Sequence, residues 1–365
     1  MDWVRGEKLG QGSFATVSLA VPRGRSSCLP PLMAVKSCGV SHSSSLVNEK
    51  LVLEELKDCP EIIRCFGESF SCENGEKLYN VLLEYASGGS LADKLKKSGD
   101  RRLPESDVRE YTKSLLKGLR YIHKVGFVHC DIKLQNILLG PNGGVKIADF
   151  GLAKRVGRKS GVPGCELRGT PMYMSPEMVS AGEQGAPADI WALGCLVAEM
   201  VTGAPAWSSS DVAGLLMRIG VGEEVPAIPG ILSEEGKDFL GKCFVKNPSK
   251  RWTAEMLLNH PFVCDQEDLY GDSFAALKDR REITASTSPR CPFDFPDWVS
   301  VSSATCSITS LPSPAHFPES VLWFCEESNF RKESWSISPA QRLQELVSEQ
   351  HGPHWFVSDD WVTIR

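Results

Sequence analysis

The chain has 365 residues, 42% hydrophobic and 24% charged, with 40 Lys and Arg against 46 Asp and Glu, a net charge of −6. That length suggests two or three domains of ordinary size, and the apolar fraction suffices for a real core. A mildly acidic balance offers no field for holding a polyanion, which argues against a dedicated nucleic-acid binder, and the short, broken apolar runs argue against a membrane-spanning helix.

The opening Met1-Asp2-Trp3-Val4-Arg5 carries no apolar signal core, so a soluble intracellular protein is expected. Thirteen cysteines are scattered with no C-x-x-C pair, a pattern of reduced thiols rather than of disulfides or a zinc site. Charge divides the chain. Residues 264–365 hold 16 acidic and 8 basic residues, whereas residues 1–263 hold 30 and 32. Composition shifts at the same place, to Ser/Thr/Pro-rich stretches, and a largely disordered tail is expected over 264–365.

In chain order, three short β-branched or apolar runs come first: Ala15–Ala20, Leu32–Lys36 and Leu78–Tyr85, separated by Gly, Ser and Pro as strands of one sheet are. One helix interrupts them near 44–57, where Leu46, Leu53 and Leu56 share a face with Glu49. Helices dominate from Pro104 onward. Val108, Tyr111, Leu115, Leu119 and Ile122 form one stripe between Pro104 and Gly126. Asp189–Val201 is apolar almost all round, as a buried helix is. The expected fold class is α+β and bilobal, with a small β-rich lobe over about 1–86 and a larger helical lobe over 87–263.

Leu9-Gly10-Gln11-Gly12-Ser13-Phe14-Ala15-Thr16-Val17 lies between two strand-like runs. Gly10 and Gly12 would let backbone N–H groups approach phosphate oxygens without obstruction by a Cβ, yet by itself the pattern fits a plain hairpin turn better. A strand rather than a helix follows it, against a dinucleotide-binding reading. Lys36 ends an apolar strand and Glu49 lies on the inward helix face, and as a lone pair these could be a surface coincidence. His129-Cys130-Asp131-Ile132-Lys133-Leu134-Gln135-Asn136 followed by Asp149-Phe150-Gly151 changes the balance. An Asp, a Lys two residues on, an Asn five on and a later D-F-G are coordinated constraints, and the glycine loop and Lys36 precede them in the right order.

Through these motifs residues 1–263 resemble a eukaryotic protein kinase, with further matches at Ser175-Pro176-Glu177, Asp189–Gly194, Arg251 and His260-Pro261-Phe262. The resemblance implies a two-lobed kinase using ATP and Mg²⁺. It assigns Lys36 to the α/β-phosphates with Glu49 fixing its rotamer, and Asp131 to orienting and deprotonating the substrate hydroxyl. Lys133 would neutralise charge at the γ-phosphate, and Asn136 and Asp149 would hold magnesium. Leu9, Val17, Ala34 and Leu138 would sandwich the adenine beside Gly10 and Gly12, with Leu83 as gatekeeper. The backbone of Glu84-Tyr85-Ala86 would bond the base edge. Glu177 and Arg251 would form a buried structural ion pair. Lys133 and Gly169-Thr170-Pro171 are of the Ser/Thr type. Retention of Lys36, Asp131, Asn136 and Asp149 argues against the alternative of a catalytically dead scaffold.

The run Gly169–Met178 is similar to that of MEKK-like MAP kinase kinase kinases, and Trp3–Val17 with Val128–Lys133 looks like the short plant members, which carry an N-terminal kinase domain and a C-terminal tail. Their likeness extends to Ser288–Trp298 in the tail. It implies a MAP kinase kinase as the protein substrate, a role in stress or abscisic-acid signalling, and residence in cytoplasm, nucleus or both. A Ser/Thr kinase outside that cascade is the alternative.

Cys130 departs from the kinase pattern, which has arginine there to pair with a phosphorylated activation loop. Activation is therefore expected to depend less on a phosphate docking beside Asp131. Ser160 and Thr170 are possible phosphosites, with Thr170 better read as shaping the substrate pocket. The Cys130 thiol is read as an ordinary semi-buried one rather than a redox handle. The tail carries five of the nine tryptophans, Trp298, Trp323, Trp335, Trp355 and Trp361, which suggest short docking motifs for partners. It also carries Ser-Pro pairs at Ser288, Ser313 and Ser338, read as linker chemistry or feedback phosphosites. Ser338 with Leu343, Leu346 and Val347 reads as a short capped helix.

Overall fold

The computed structural model describes residues 2–12, 15–24, 29–157, 168–209 and 211–264, together with the backbones of 355–358 and 361–364. Strands β1 (Trp3–Gln11), β2 (Thr16–Pro22), β3 (Met33–Gly39), β4 (Cys65–Glu73) and β5 (Glu76–Glu84) make one antiparallel sheet in the order β1-β2-β3-β5-β4. Three of these are the runs expected from sequence. β1 is the strand-like run before the glycine loop, whereas β4 has no counterpart among the expected runs because its residues are largely polar or half-exposed, without the apolar density that marks a covered strand.

Helix α1 (Ser44–Glu55) crosses between β3 and β4 and buries Leu46, Glu49, Val52 and Leu53. A buried glutamate among leucines is tolerable only with a charge partner. α2 (Leu91–Lys97) begins at Ser90, whose hydroxyl accepts from Asp93 N–H while the Asp93 carboxylate accepts from Ser90 N–H. α3 (Glu105–Lys124) carries the expected stripe: Val108, Leu115, Leu119 and Ile122 are fully covered. Then come β6 (Phe127–Val128), β7 (Ile137–Leu139), β8 (Val145–Ile147) and β9 (Lys154–Arg155), paired β6–β9 and β7–β8. These two small ladders frame the loops on which the motif residues sit.

α4 (Pro176–Ala181), α5 (Ala186–Thr202), α6 (Val212–Gly220), α7 (Glu234–Cys243) and α8 (Ala254–Leu258) complete the helical part. Every residue from Ala188 to Val201 is buried, so α5 is the central pillar, apolar almost all round because neighbours cover it, with Asp189 and Glu199 as buried carboxylates. It ends at Gly203 (φ 76°), where a Cβ would collide with the carbonyl of Arg101. The core runs continuously from α1 and the inner face of the sheet through α3 to α5, α7 and Phe262.

The chain divides into two compact units, residues 1–271 with 337–365, and residues 272–336, the second lying wholly outside the described residues. Within the expected tail, β10 (Trp355–Ser358) and β11 (Trp361–Ile364) pair as an antiparallel hairpin that includes two of its five tryptophans. Alternating Trp, Val and Ile around Asp359-Asp360 is a strand–turn–strand pattern. The tail Ser-Pro pairs and the helix expected near Ser338–Val347 lie outside the described residues. No described helix is long and apolar enough to cross a membrane.

Candidate active site

Lys36 and Glu49 meet. Lys36 is held by the β2–β3–β5 register between Val17 and Val81, and its ammonium lies 2.6 Å from Glu49 and 3.0 Å from Asp149. Burial works against a charged Lys36, but the carboxylates of Asp149 and Glu49 outweigh it and hold the ammonium firmly protonated. Burial pushes the Glu49 carboxyl up against the pull of Lys36. The pair is thus mutually dependent, and neither charge is stable there alone.

Asp131 sits below this cluster with its side chain almost covered. One oxygen accepts from the Thr170 hydroxyl at 2.8 Å; the other lies 2.9 Å from Lys133 Nζ and 3.1 Å from Asn136 Nδ2. Asn136 also donates to the Asp131 carbonyl at 2.8 Å, bracing the loop across i and i+5. Lys133 donates to Thr170 Oγ1 at 3.0 Å, so the 169–175 segment is tied directly to Asp131. Thr170 is 3% exposed and fully engaged, which fits its reading as a pocket-shaping residue. Ser160 lies outside the described residues.

The conformation of this loop is imposed from below. Cys130 adopts φ 69° and Asp149 φ 63°, left-handed geometry that costs free energy in residues with a Cβ. Asp189 on α5 compensates at Cys130: its two oxygens accept from the backbone N–H groups of His129 at 2.9 Å and Cys130 at 3.0 Å, and His123 Nε2 adds a contact at 2.8 Å. Burial would raise the Asp189 carboxyl, but His123 and these amides hold it below its ordinary value. His129 contacts the Ala148 carbonyl through Nε2 at 3.1 Å and stacks edge-on to Phe150 at 4.7 Å. The Cys130 thiol is buried, not semi-buried, and burial followed by Asp189 pushes it well above the ordinary thiol range.

The proposed adenine pocket residues lie on β1, β2, β3, the end of β5 and the segment after it, and β7. Ala34 pairs with Leu83 across β3–β5, both are buried, and Val17, Ala86 and Leu138 pack against the same core. Leu9 is 41% exposed on β1; Gly10, near the end of that strand, has open space where a Cβ would project, and at Gly12, just beyond it, a Cβ would meet the Ala15 carbonyl in ordinary contact at 3.7 Å. At the hinge, Glu84 N–H already donates to the Arg64 carbonyl at 2.8 Å, while Ala86 N–H meets no acceptor among the described residues. The free donor is therefore at Ala86, and any contact from Glu84 falls to its carbonyl.

The family follows from comparison. The protein kinase domain model matches residues 3–263. The chain is 52% identical to mitogen-activated protein kinase kinase kinase 20 of Arabidopsis thaliana over the whole of both chains. It is 44% identical to kinase kinase kinase 17 of the same plant over 74% of this chain and 71% of the relative, and 44% identical to kinase kinase kinase 18 over 73% and 79%. The chain is a serine/threonine protein kinase of the MAP kinase kinase kinase family.

In this kinase Glu177 and Arg251 form a bidentate buried pair at 2.7 and 2.9 Å, and Arg251 also donates to the carbonyls of Pro187 and Val245. Sequence reasoning found that pair. It gave no role to Asp189, although the D-I-W-A-L-G run marks it, and it missed Asn48 and Glu199. Glu199 accepts from the Tyr173 hydroxyl inside the protein, and burial raises its carboxyl to about 7. No sequence signal distinguishes Asn48, which is simply the residue before Glu49.

Proposed function

We propose that this kinase transfers the γ-phosphate of ATP, with magnesium, to a Ser or Thr hydroxyl of a MAP kinase kinase. The observation that carries the chemistry is the convergence of Lys36, Glu49 and Asp149 above Asp131, Lys133 and Asn136. Phosphoryl transfer asks little covalent work of a protein and much positioning and charge neutralisation. Lys36 would meet the α/β-phosphates from its brace on Glu49, and Ala86 N–H would meet the adenine edge. Asp131, held by three neighbours, would orient the incoming hydroxyl and take its proton, while Lys133 would sit against the charge on the γ-phosphate.

The donor set fits magnesium. Asn136 spends its N–H₂ on Asp131, which leaves its side-chain carbonyl for a hard cation, and Asp149 supplies a carboxylate that is a quarter exposed. Among the described residues no cluster of three or more His, Cys, Asp or Glu could hold a metal. One carboxylate and one amide oxygen suit an ion that takes its other ligands from phosphate and water. Bound there, magnesium would offset the negative charge shared by the phosphates.

Support for the substrate class comes from the 169–178 segment and from the relatives, whose names place them in MAP kinase signalling. A role in stress or abscisic-acid signalling is supported by that likeness alone. The decisive assay is ATP- and magnesium-dependent labelling of a kinase-dead MAP kinase kinase beside a generic basic protein. Wild type should label the former on Ser/Thr, with Lys36→Met and Asp131→Asn reduced at least about 100-fold. Labelling of only the basic protein would leave the kinase and remove the cascade.

A further inference from the structure

Asn48 projects from α1 one residue before Glu49. Its side-chain amide lies 2.9 Å from the carbonyl of Ala153, 3.3 Å from that of Gly151 and 3.4 Å from that of Phe150. Those carbonyls belong to the turn that immediately follows Asp149. Two further contacts join the same surfaces. The Phe150 backbone favours the Glu49 carboxylate, and Gly151 lies so close to Ser45 that any Cβ would collide with the Ser45 hydroxyl. Ser45, Asn48, Glu49 and Val52 are spaced i, i+3, i+4, i+7, so one face of α1 is the mating surface for this turn.

We propose that Asn48 is a positioning residue that latches the Asp149–Ala153 turn to α1, so that the Lys36–Glu49 pair and the Asp149 carboxylate are set in place together. Asp149 holds a left-handed backbone that its surroundings must impose. Asn48 grips the turn through its carbonyls, while the adjacent Glu49 is favoured as a carboxylate by the Phe150 backbone, so two neighbouring residues of α1 face one short segment. An amide suits the task because it brings two N–H protons to converging carbonyl oxygens, whereas a carboxylate there would face acceptors with an acceptor. The latch also bears on Cys130. With no arginine beside Asp131 to gather a phosphorylated loop, contacts such as Asn48 remain to order the turn.

The inference rests on the kinase activity and not on the identity of the substrate, so its test uses a generic basic protein. Full-length wild type, Asn48→Ala, Asn48→Asp and Asn48→Ser are compared, with Leu51→Ala, exposed on α1, as the control. Hydrogen exchange is read without nucleotide or metal, alongside kcat, KM for the protein substrate and the magnesium concentration for half-maximal rate. For Asn48→Ala, exchange should speed several-fold at 44–55 and 149–155 and stay unchanged over α5. Its kcat should fall about tenfold with a several-fold higher magnesium requirement and an unchanged protein KM. Asn48→Asp should be worse and Asn48→Ser milder. Unchanged kcat and magnesium requirement would overturn the proposal, as would a kcat loss with exchange raised throughout the protein. Failure of both Asn48→Ala and Asn48→Ser to fold would assign a purely structural role and overturn it equally.

Discussion

The backbone N–H of Cys130 donates to Asp189 Oδ1 at 3.0 Å across 59 residues of sequence. That bond, with its companion from His129 N–H to the other oxygen, pins the loop carrying Asp131 to the central helix α5. The positive φ of Cys130 turns its N–H downward to Asp189, and the next residue presents its carboxylate to the cleft. The precision of the loop carrying Asp131 is therefore borrowed from a helix buried from Ala188 to Val201.

Asp189→Asn can satisfy only one of the two amides and brings its own N–H₂ against the other. Stability should fall on the order of 3 kcal/mol, and kcat by more than KM. Denaturant unfolding and steady-state kinetics check this. In the wild type, Asp189 titrates below its ordinary 3.8 in the fold. Its contribution is therefore present above about pH 4 and is lost as pH falls through the lower folded value.

Glu199 has the opposite sign. Burial raises its carboxyl from 4.5 to about 7, so between those values the folded chain keeps a proton that the unfolded chain releases. Stability should decline as pH rises from about 4.5 through 7, by up to about 3 kcal/mol. Glu199→Gln should flatten that slope and raise the melting temperature at pH 8; a slope unchanged by the substitution would exclude Glu199 as its source.

Removing one partner of the Glu177–Arg251 pair strands a charge in the interior. Either Glu177→Gln or Arg251→Met should cost about 3–5 kcal/mol. The Arg251 variant should be the worse of the two, because carbonyls of Val245, Pro187 and Lys246 lose their donor as well. Urea unfolding of both variants measures the difference.

Cys130 should resist alkylation. Its thiol is buried and held protonated, whereas Cys72 is exposed. Iodoacetamide at pH 8 should label Cys72 in the native kinase and reach Cys130 only after unfolding, as peptide mass mapping would show. Early labelling of Cys130 would mean that this loop opens.

The missing arginine makes a phosphate-independent active form the expectation. Ser160→Ala, and phosphatase-treated wild type, should keep at least about half of the kcat toward a basic protein. A loss beyond about tenfold in both would show that a loop phosphate docks elsewhere than beside Asp131.

Most of the candidate site was legible in the sequence because it is local. Asp131, Lys133 and Asn136 fall within six residues, where loop geometry leaves little freedom, and Asp149 follows in an equally short motif. The helices of the larger lobe were legible for a related reason: their 3.6-residue stripes must face a core wherever that core lies. Strand β4 was not, since a half-exposed polar strand owes its state to a neighbour's hydrogen bonds.

Sequence alone determined the residue types the chemistry needs, their order, the family, and the departure at Cys130. Only the tertiary structure decided which residues hold them in register. Asn48 reaches a turn 102 to 105 residues away, Asp189 reaches back 59 and 60, and Tyr173 reaches Glu199 across 26. Such partners carry no local pattern, because a hydrogen bond between distant segments depends on how packed elements bring them together.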